Sequence, residues 1–203
     1  MDLFENDSTE NLNLLHQDGI VNYYGPMMPP TKAVDFMQIL MEEIDWQPDE
    51  VVIFGKKHIT KRKVGWYGDK PFCYRYSNSK KVALPWSEAL ISLKKMVEER
   101  CGETFNSCLL NLYHNGAEGM GWHADDEREL QKHGAIASIS FGAERKFTFK
   151  HKQTKETKSI VLENGSLLVM KGTTQDHWLH TLPKALKITT PRINLTFRSF
   201  GGL

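Results

Sequence analysis

The sequence predicts an α+β, mainly β chain: an antiparallel sandwich or roll with supporting N-terminal helices. From Ser107 onward, short apolar runs with β-branched residues alternate with polar turns, over 108–114, 136–141, 145–150, 159–162, 166–170, 178–182 and 192–199. Seven such runs in under a hundred residues are the pattern of an antiparallel two-sheet body. Upstream, two stretches have helical spacing instead. The 203 residues, without internal repeats or low-complexity tracts, suit one domain with a sizeable core.

Residues 1–30 are acidic and Asn-rich, with Asp2, Glu5, Asp7, Glu10 and Asp18 but no Lys or Arg. They end in Pro26-Met27-Met28-Pro29-Pro30, which breaks any regular element. The segment is therefore read as a flexible or loosely docked lead-in to a single domain over 31–203. Ala33, Phe36, Ile39, Leu40 and Ile44 recur at helical spacing behind Thr31, a suitable N-cap, and predict an amphipathic helix over 32–44. Val51-Val52-Ile53-Phe54-Gly55 reads as a strand. The next eight residues, 56–63, hold five basic ones and lead to the aromatic segment Phe72-Cys73-Tyr74-Arg75-Tyr76. Basic groups interleaved with aromatics supply phosphate contact and base stacking. The stretch 56–77 is thus a candidate nucleic-acid lid, with Lys61, Arg62 and Lys63 for phosphates and Tyr74 and Tyr76 for a base; the plain alternative is a solvated charged face. Leu90, Leu93 and Val97, with Gly102 beyond them, predict a second helix over 86–101 with a glycine stop.

The formal charge is +1, and the acidic lead-in leaves +6 for the remainder. A basic body favours a polyanionic partner. Cys73, Cys101 and Cys108 form no CxxC spacing, so neither a disulfide framework nor a thiolate zinc site is indicated. No signal peptide and no apolar window of about 18 residues is found, so a soluble, intracellular protein is expected.

The chemistry concentrates in Gly121–Glu127, Trp178–His180 and Pro191–Arg198. His123 and Asp125 stand two apart, and on an extended strand two such side chains point to one side. His180 supplies a second imidazole 55 residues after Asp125. Two histidines and a carboxylate form the facial triad of non-heme Fe(II), which leaves three positions open. His177 competes with His180 for that place, and on one strand only one of the pair can point inward. Arg192 and Arg198, six apart, fall on one strand face and suit a dicarboxylate, because a planar guanidinium binds a carboxylate in a fork.

Together with Asn111-Leu112-Tyr113, Asp126–Leu130 and Ile136–Ala143, these stretches resemble the AlkB family of Fe(II)- and 2-oxoglutarate-dependent dioxygenases, in its nucleic-acid repair branch. The resemblance covers roughly residues 50 to 200. It implies a double-stranded β-helix, or jelly roll, with helices packed outside it. It selects His180 over His177 as the third ligand, and assigns Asn111, Tyr113, Arg192, Asn194 and Arg198 to 2-oxoglutarate. It further implies Fe(II), 2-oxoglutarate and O2, and oxidative demethylation of bases such as 1-methyladenine and 3-methylcytosine in DNA, with RNA a further polynucleotide, releasing formaldehyde. Glu127 would face the cationic base. A base in a duplex cannot reach the iron, so it must be flipped and held between flat side chains, for which Tyr74, Tyr76 and His123 are the choices. A monomer is expected, cytoplasmic or, in a eukaryote, nuclear. One rival is an oxygenase of the same fold acting on an RNA modification or a protein; the other is a non-catalytic metal-binding jelly roll, which would not need the paired arginines.

Overall fold

The computed structural model describes residues 12–201 except 54–55 and 77–78. Its larger sheet has the strand order β1 (Ile20–Pro26), β11 (Ser166–Lys171), β8 (Ile136–Gly142), β13 (Arg192–Arg198), β6 (Ser107–Tyr113), β3 (Lys56–Gly68), β2 (Gln47–Ile53). The smaller sheet has the order β10 (Thr157–Leu162), β9 (Arg145–His151), β12 (Trp178–Leu182), β7 (Met120–His123). A separate hairpin joins β4 (Cys73–Tyr76) to β5 (Ser79–Val82). Three helices complete the described fold: α1 (Pro30–Glu43), α2 (Glu88–Cys101) and the single turn α3 (Thr174–His177). The ladders are antiparallel throughout, as a jelly roll requires.

Period-two alternation on the central strands sorts core from site. On β13, Ile193, Leu195 and Phe197 join the core under the helices, while Arg192, Asn194, Thr196 and Arg198 turn to the other face. β6 repeats this division, with Cys108, Leu110 and Leu112 toward the helices and Leu109, Asn111 and Tyr113 opposite. α1 and α2 cover the apolar face with Ala33, Phe36, Leu40, Leu90, Leu93 and Val97. Ser87 caps α2 by accepting from Leu90 N at 3.3 Å, and Gly102 ends it at φ +70°, in the left-handed region where a missing Cβ removes the steric cost.

Four expectations change. α1 starts at Pro30, not behind a Thr31 cap; proline suits the first helical position because its fixed φ fits and its absent N–H is not missed. The lead-in is docked over its described part: β1 pairs with β11, and Leu15 and Val21 are buried beside Trp178 and Phe149. Pro26 and Pro30 therefore punctuate only the link between β1 and α1. The basic run 56–63 lies on β3, not on a loop, and pairs with β2. An additional short strand, β7, brings the count after Ser107 to eight. Among the described residues, no helix is long and apolar enough to cross a membrane.

Candidate metal and cosubstrate site

A cavity of about 520 Å³ opens on the polar face of β13 and β6, and His123, Asp125, His180, Arg192, Asn194 and Arg198 line it. The antiparallel pairing of β12 with β7 sets His180 directly opposite His123. Their rings stand 4.2 Å apart, centroid to centroid, at 64°. Asp125 Oδ1 lies 3.7 Å from His123 Nε2 and 3.9 Å from His180 Nε2. One donor atom from each of the three thus falls within 4.8 Å of the others.

This donor set fits a divalent iron. His123 Nδ1 lies 2.9 Å from Gly121 O; a carbonyl only accepts, so the ring proton sits on Nδ1 and the Nε2 lone pair is free for a metal. Burial pushes His180 down to about 4, with Asp125 opposing and His123 adding to the shift, which keeps that imidazole neutral. Burial disfavours the charge on Asp125, but Arg198, then His180 and His123, outweigh it and hold the carboxyl below its usual range.

The wall that β13 contributes to the cavity is also buried. Arg192, only 2 % exposed, donates from Nη2 to Ser140 Oγ at 2.8 Å and lies 5.6 Å from the Tyr113 ring centroid. Burial pulls its guanidinium down to about 10; Tyr113 opposes and the neighbouring Arg145 adds to the shift. Arg198 donates from Nη1 to Glu127 Oε1 at 3.0 Å, and Glu127 and Asp125 raise it against the cost of burial. Asn194 Nδ2 donates to Ser138 Oγ at 2.8 Å. Among the described residues, five buried polar atoms on cavity-lining residues lack a hydrogen-bond partner: Arg62 Nε, Arg192 Nε, Arg198 Nε, Asn111 Oδ1 and Glu127 Oε2. Such atoms are costly unless a bound group satisfies them, and a dicarboxylate would satisfy the guanidinium donors.

Not every residue singled out in the sequence gathers here. Lys61 and Lys63 are exposed, but Arg62 between them is buried. It pairs with Asp49, donates to Met120 Sδ at 2.9 Å, and lies 6.0 Å from the Tyr113 ring centroid. Strand alternation puts it on the cavity side with Val64 and Trp66. Its place is therefore inside the cavity wall rather than on the exposed surface with Lys61 and Lys63. The side chains of Tyr74 and Tyr76 lie outside the described residues; the backbone of β4 pairs with β5, whose last residue, Val82, lines the cavity.

His177 lies on α3, not on a strand with His180, and it stands near Asp18 and His151 in a second His/Asp group. There Thr154 N donates to His151 Nδ1 at 3.0 Å, and His151 Nε2 lies 3.2 Å from Asp18 Oδ2. That contact sets Asp18 of the lead-in against β9. Sequence reasoning missed Asp49, Phe147 and Gln175. Phe147 was legible as the inward residue of an alternating strand, and its ring lies 5.4 Å from that of His180; Asp49 and Gln175 carry no pattern of their own.

Fold and site together define a 2-oxoglutarate-dependent iron oxygenase. A model of the 2OG-Fe(II) oxygenase superfamily matches residues 19–198, and the chain belongs to that superfamily and, within it, to the AlkB family. It is 37% identical over 195 residues to DNA oxidative demethylase ALKBH2 of Mus musculus, covering 91% of this chain and 82% of that protein. It is also 37% identical over 185 residues to alpha-ketoglutarate-dependent dioxygenase alkB homolog 3 of Homo sapiens, covering 86% and 64%. A solved structure titled "The structure of OsALKBH1" superposes with a TM-score of 0.61 at 15% identity, covering 91% of this chain and 99% of that one, a likeness of fold alone. The family implies Fe(II), 2-oxoglutarate and O2.

Proposed function

We propose that the protein is an oxidative demethylase of alkylated bases in DNA, with His123, Asp125 and His180 as the iron ligands. One observation carries the reading: the three donors meet at a cavity whose other wall holds two buried arginines with unsatisfied donors. A metal-binding jelly roll without an oxoacid cosubstrate would have no use for Arg192 and Arg198. The relatives named for DNA demethylation direct the choice of substrate.

Iron, O2 and 2-oxoglutarate supply oxidation of an N-methyl group; overall, methylated base, O2 and 2-oxoglutarate become repaired base, formaldehyde, succinate and CO2. The protein's part is positioning. Arg192, Arg198 and Asn194 on β13, with Asn111 and Tyr113 on β6, hold the cosubstrate. The burial of these groups excludes water. Glu127 Oε2, buried and without a partner, accepts from the exocyclic amine and favours a cationic base. Tyr74 and Tyr76 of β4, with the His123 ring, hold the flipped base. Lys61 and Lys63 contact phosphates. The enzyme acts as a monomer, in the cytoplasm or, in a eukaryote, the nucleus.

The test is formaldehyde release from matched single-stranded DNA, duplex DNA and RNA oligonucleotides that carry 1-methyladenine or 3-methylcytosine. Release from DNA that requires both iron and 2-oxoglutarate supports the proposal. Cosubstrate turnover without formaldehyde from any of the three would favour a protein substrate.

A further inference from the structure

Asp125 does not sit on a strand. β7 ends at His123, and residues 124–127 have no regular structure, so the ladder that fixes His123 does not extend to the carboxylate two residues later. A ligand on irregular backbone loses metal affinity to its own conformational freedom unless something else fixes it. Here the Asp125 amide donates to Gln175 Oε1 at 2.9 Å, across fifty residues of sequence.

Gln175 is itself held at both ends. Its Nε2 lies 3.3 Å from Met170 Sδ, on β11, and its backbone carbonyl accepts from Lys152 Nζ at 2.8 Å. The turn that carries it is tied to the body twice more: Thr174 Oγ1 donates to Lys171 O at 2.6 Å, and Lys152 N donates to His177 O at 2.7 Å. Gln175 also lies five residues before His180. One short turn therefore delivers the distal histidine through the chain and grips the carboxylate loop through a side chain.

We propose that Gln175 is the positioning residue for Asp125: its side-chain carbonyl fixes the irregular backbone of the carboxylate ligand to the turn that leads into His180, and so presets the distance between the two. The inference rests on the reading of His123, Asp125 and His180 as the metal donors. Gln175 reaches the metal only through Asp125, so its loss weakens metal binding without removing a ligand. Groups that orient metal ligands typically contribute about 10–100-fold in metal affinity or activity.

Mn(II), a redox-silent substitute for iron, is titrated into the metal-free protein, with free ion counted by electron paramagnetic resonance, and hydrogen exchange is followed at the Asp125 amide. The wild type is expected to bind one equivalent, and Asp125→Ala none. Gln175→Leu should weaken Mn(II) binding at least tenfold and speed amide exchange at Asp125 at least tenfold, with the melting temperature of the metal-free protein unchanged. Gln175→Glu, which keeps the acceptor, should bind within threefold of wild type. Gln175→Asn, which keeps the amide but shortens its reach, should resemble the Leu variant and carries the test if that variant does not fold. Wild-type affinity in both the Leu and Asn variants would overturn the inference. Equal weakening in the Glu variant, or a fall in affinity that only tracks a fall in melting temperature, would do the same. A wild type that binds no Mn(II) would instead overturn the metal reading on which the inference rests.

Discussion

Arg198 donates to Glu127 at 3.0 Å, and this pair joins the two halves of the proposed chemistry. The cation assigned to the cosubstrate is partly neutralised by the acid assigned to the target base. Removing the acid should therefore act on both substrates. Glu127→Gln is expected to lower turnover of a cationic 1-methyladenine oligonucleotide about tenfold, while KM for 2-oxoglutarate falls, because Arg198 loses its competing partner. Steady-state kinetics with each substrate varied in turn checks this; an effect on the oligonucleotide only through KM would mean that Glu127 does not act at the reacting base.

Arg192→Lys keeps the charge but loses the planar fork over Tyr113. With a charge-assisted hydrogen bond contributing about 1.5–3 kcal/mol, KM for 2-oxoglutarate should rise about tenfold or more, and KM for the nucleic acid should barely move. Equal effects on both would make Arg192 a support for the sheet.

The basic run divides under substitution. Lys61→Ala with Lys63→Ala, both exposed, should weaken binding to methylated and unmethylated DNA alike and flatten its salt dependence, because phosphate contacts release counterions without reading sequence. Arg62→Ala should lower stability by about 1.5–3 kcal/mol, since it removes a charged hydrogen-bond partner of the buried Asp49 carboxylate. Fluorescence anisotropy across salt concentrations and urea unfolding separate the two. A stable Arg62→Ala protein with a flattened salt slope would return Arg62 to the phosphate surface.

How much of this was legible depends on where alternation was visible. On β13 apolar and polar residues alternate without interruption, and on β6 the apolar Leu109 on the cavity face breaks the pattern, so the core face and the face bearing Arg192, Asn194 and Arg198 could be read directly from β13. The same rule was masked on β3, where Lys61, Arg62 and Lys63 are all basic and only pairing with β2 and β6 shows that the middle one points inward. β1 was hidden because its surroundings are acidic and proline-rich, and its stability comes from docking on β11, a contact no local pattern encodes. The Gln175 to Asp125 bond spans fifty residues and joins an irregular loop to a single helical turn, neither of which has a period to read.

The metal-free protein should lose stability on acidification. His180 is depressed from 6.5 to about 4 in the folded state, so between those values the unfolded chain takes up a proton that the folded one refuses. The stabilisation is fully present above pH 6.5 and is lost as pH falls toward 4, by about 3 kcal/mol. Urea unfolding of the metal-free protein at pH 7, 6 and 5 should show this slope, and His180→Gln should flatten it. A slope unchanged by that substitution would place the titrating group elsewhere.

On the proposed reading, His123, Asp125 and His180 hold the iron that demethylates DNA. The most direct measurement is formaldehyde released from a single-stranded DNA oligonucleotide carrying 1-methyladenine, at fixed iron and 2-oxoglutarate, by the wild type, Asp125→Ala, His180→Ala and His177→Ala. Release by the wild type and His177→Ala, with none from the other two despite native circular dichroism, is the predicted result. Activity retained in His180→Ala and lost in His177→Ala, or no release from the wild type, would contradict it.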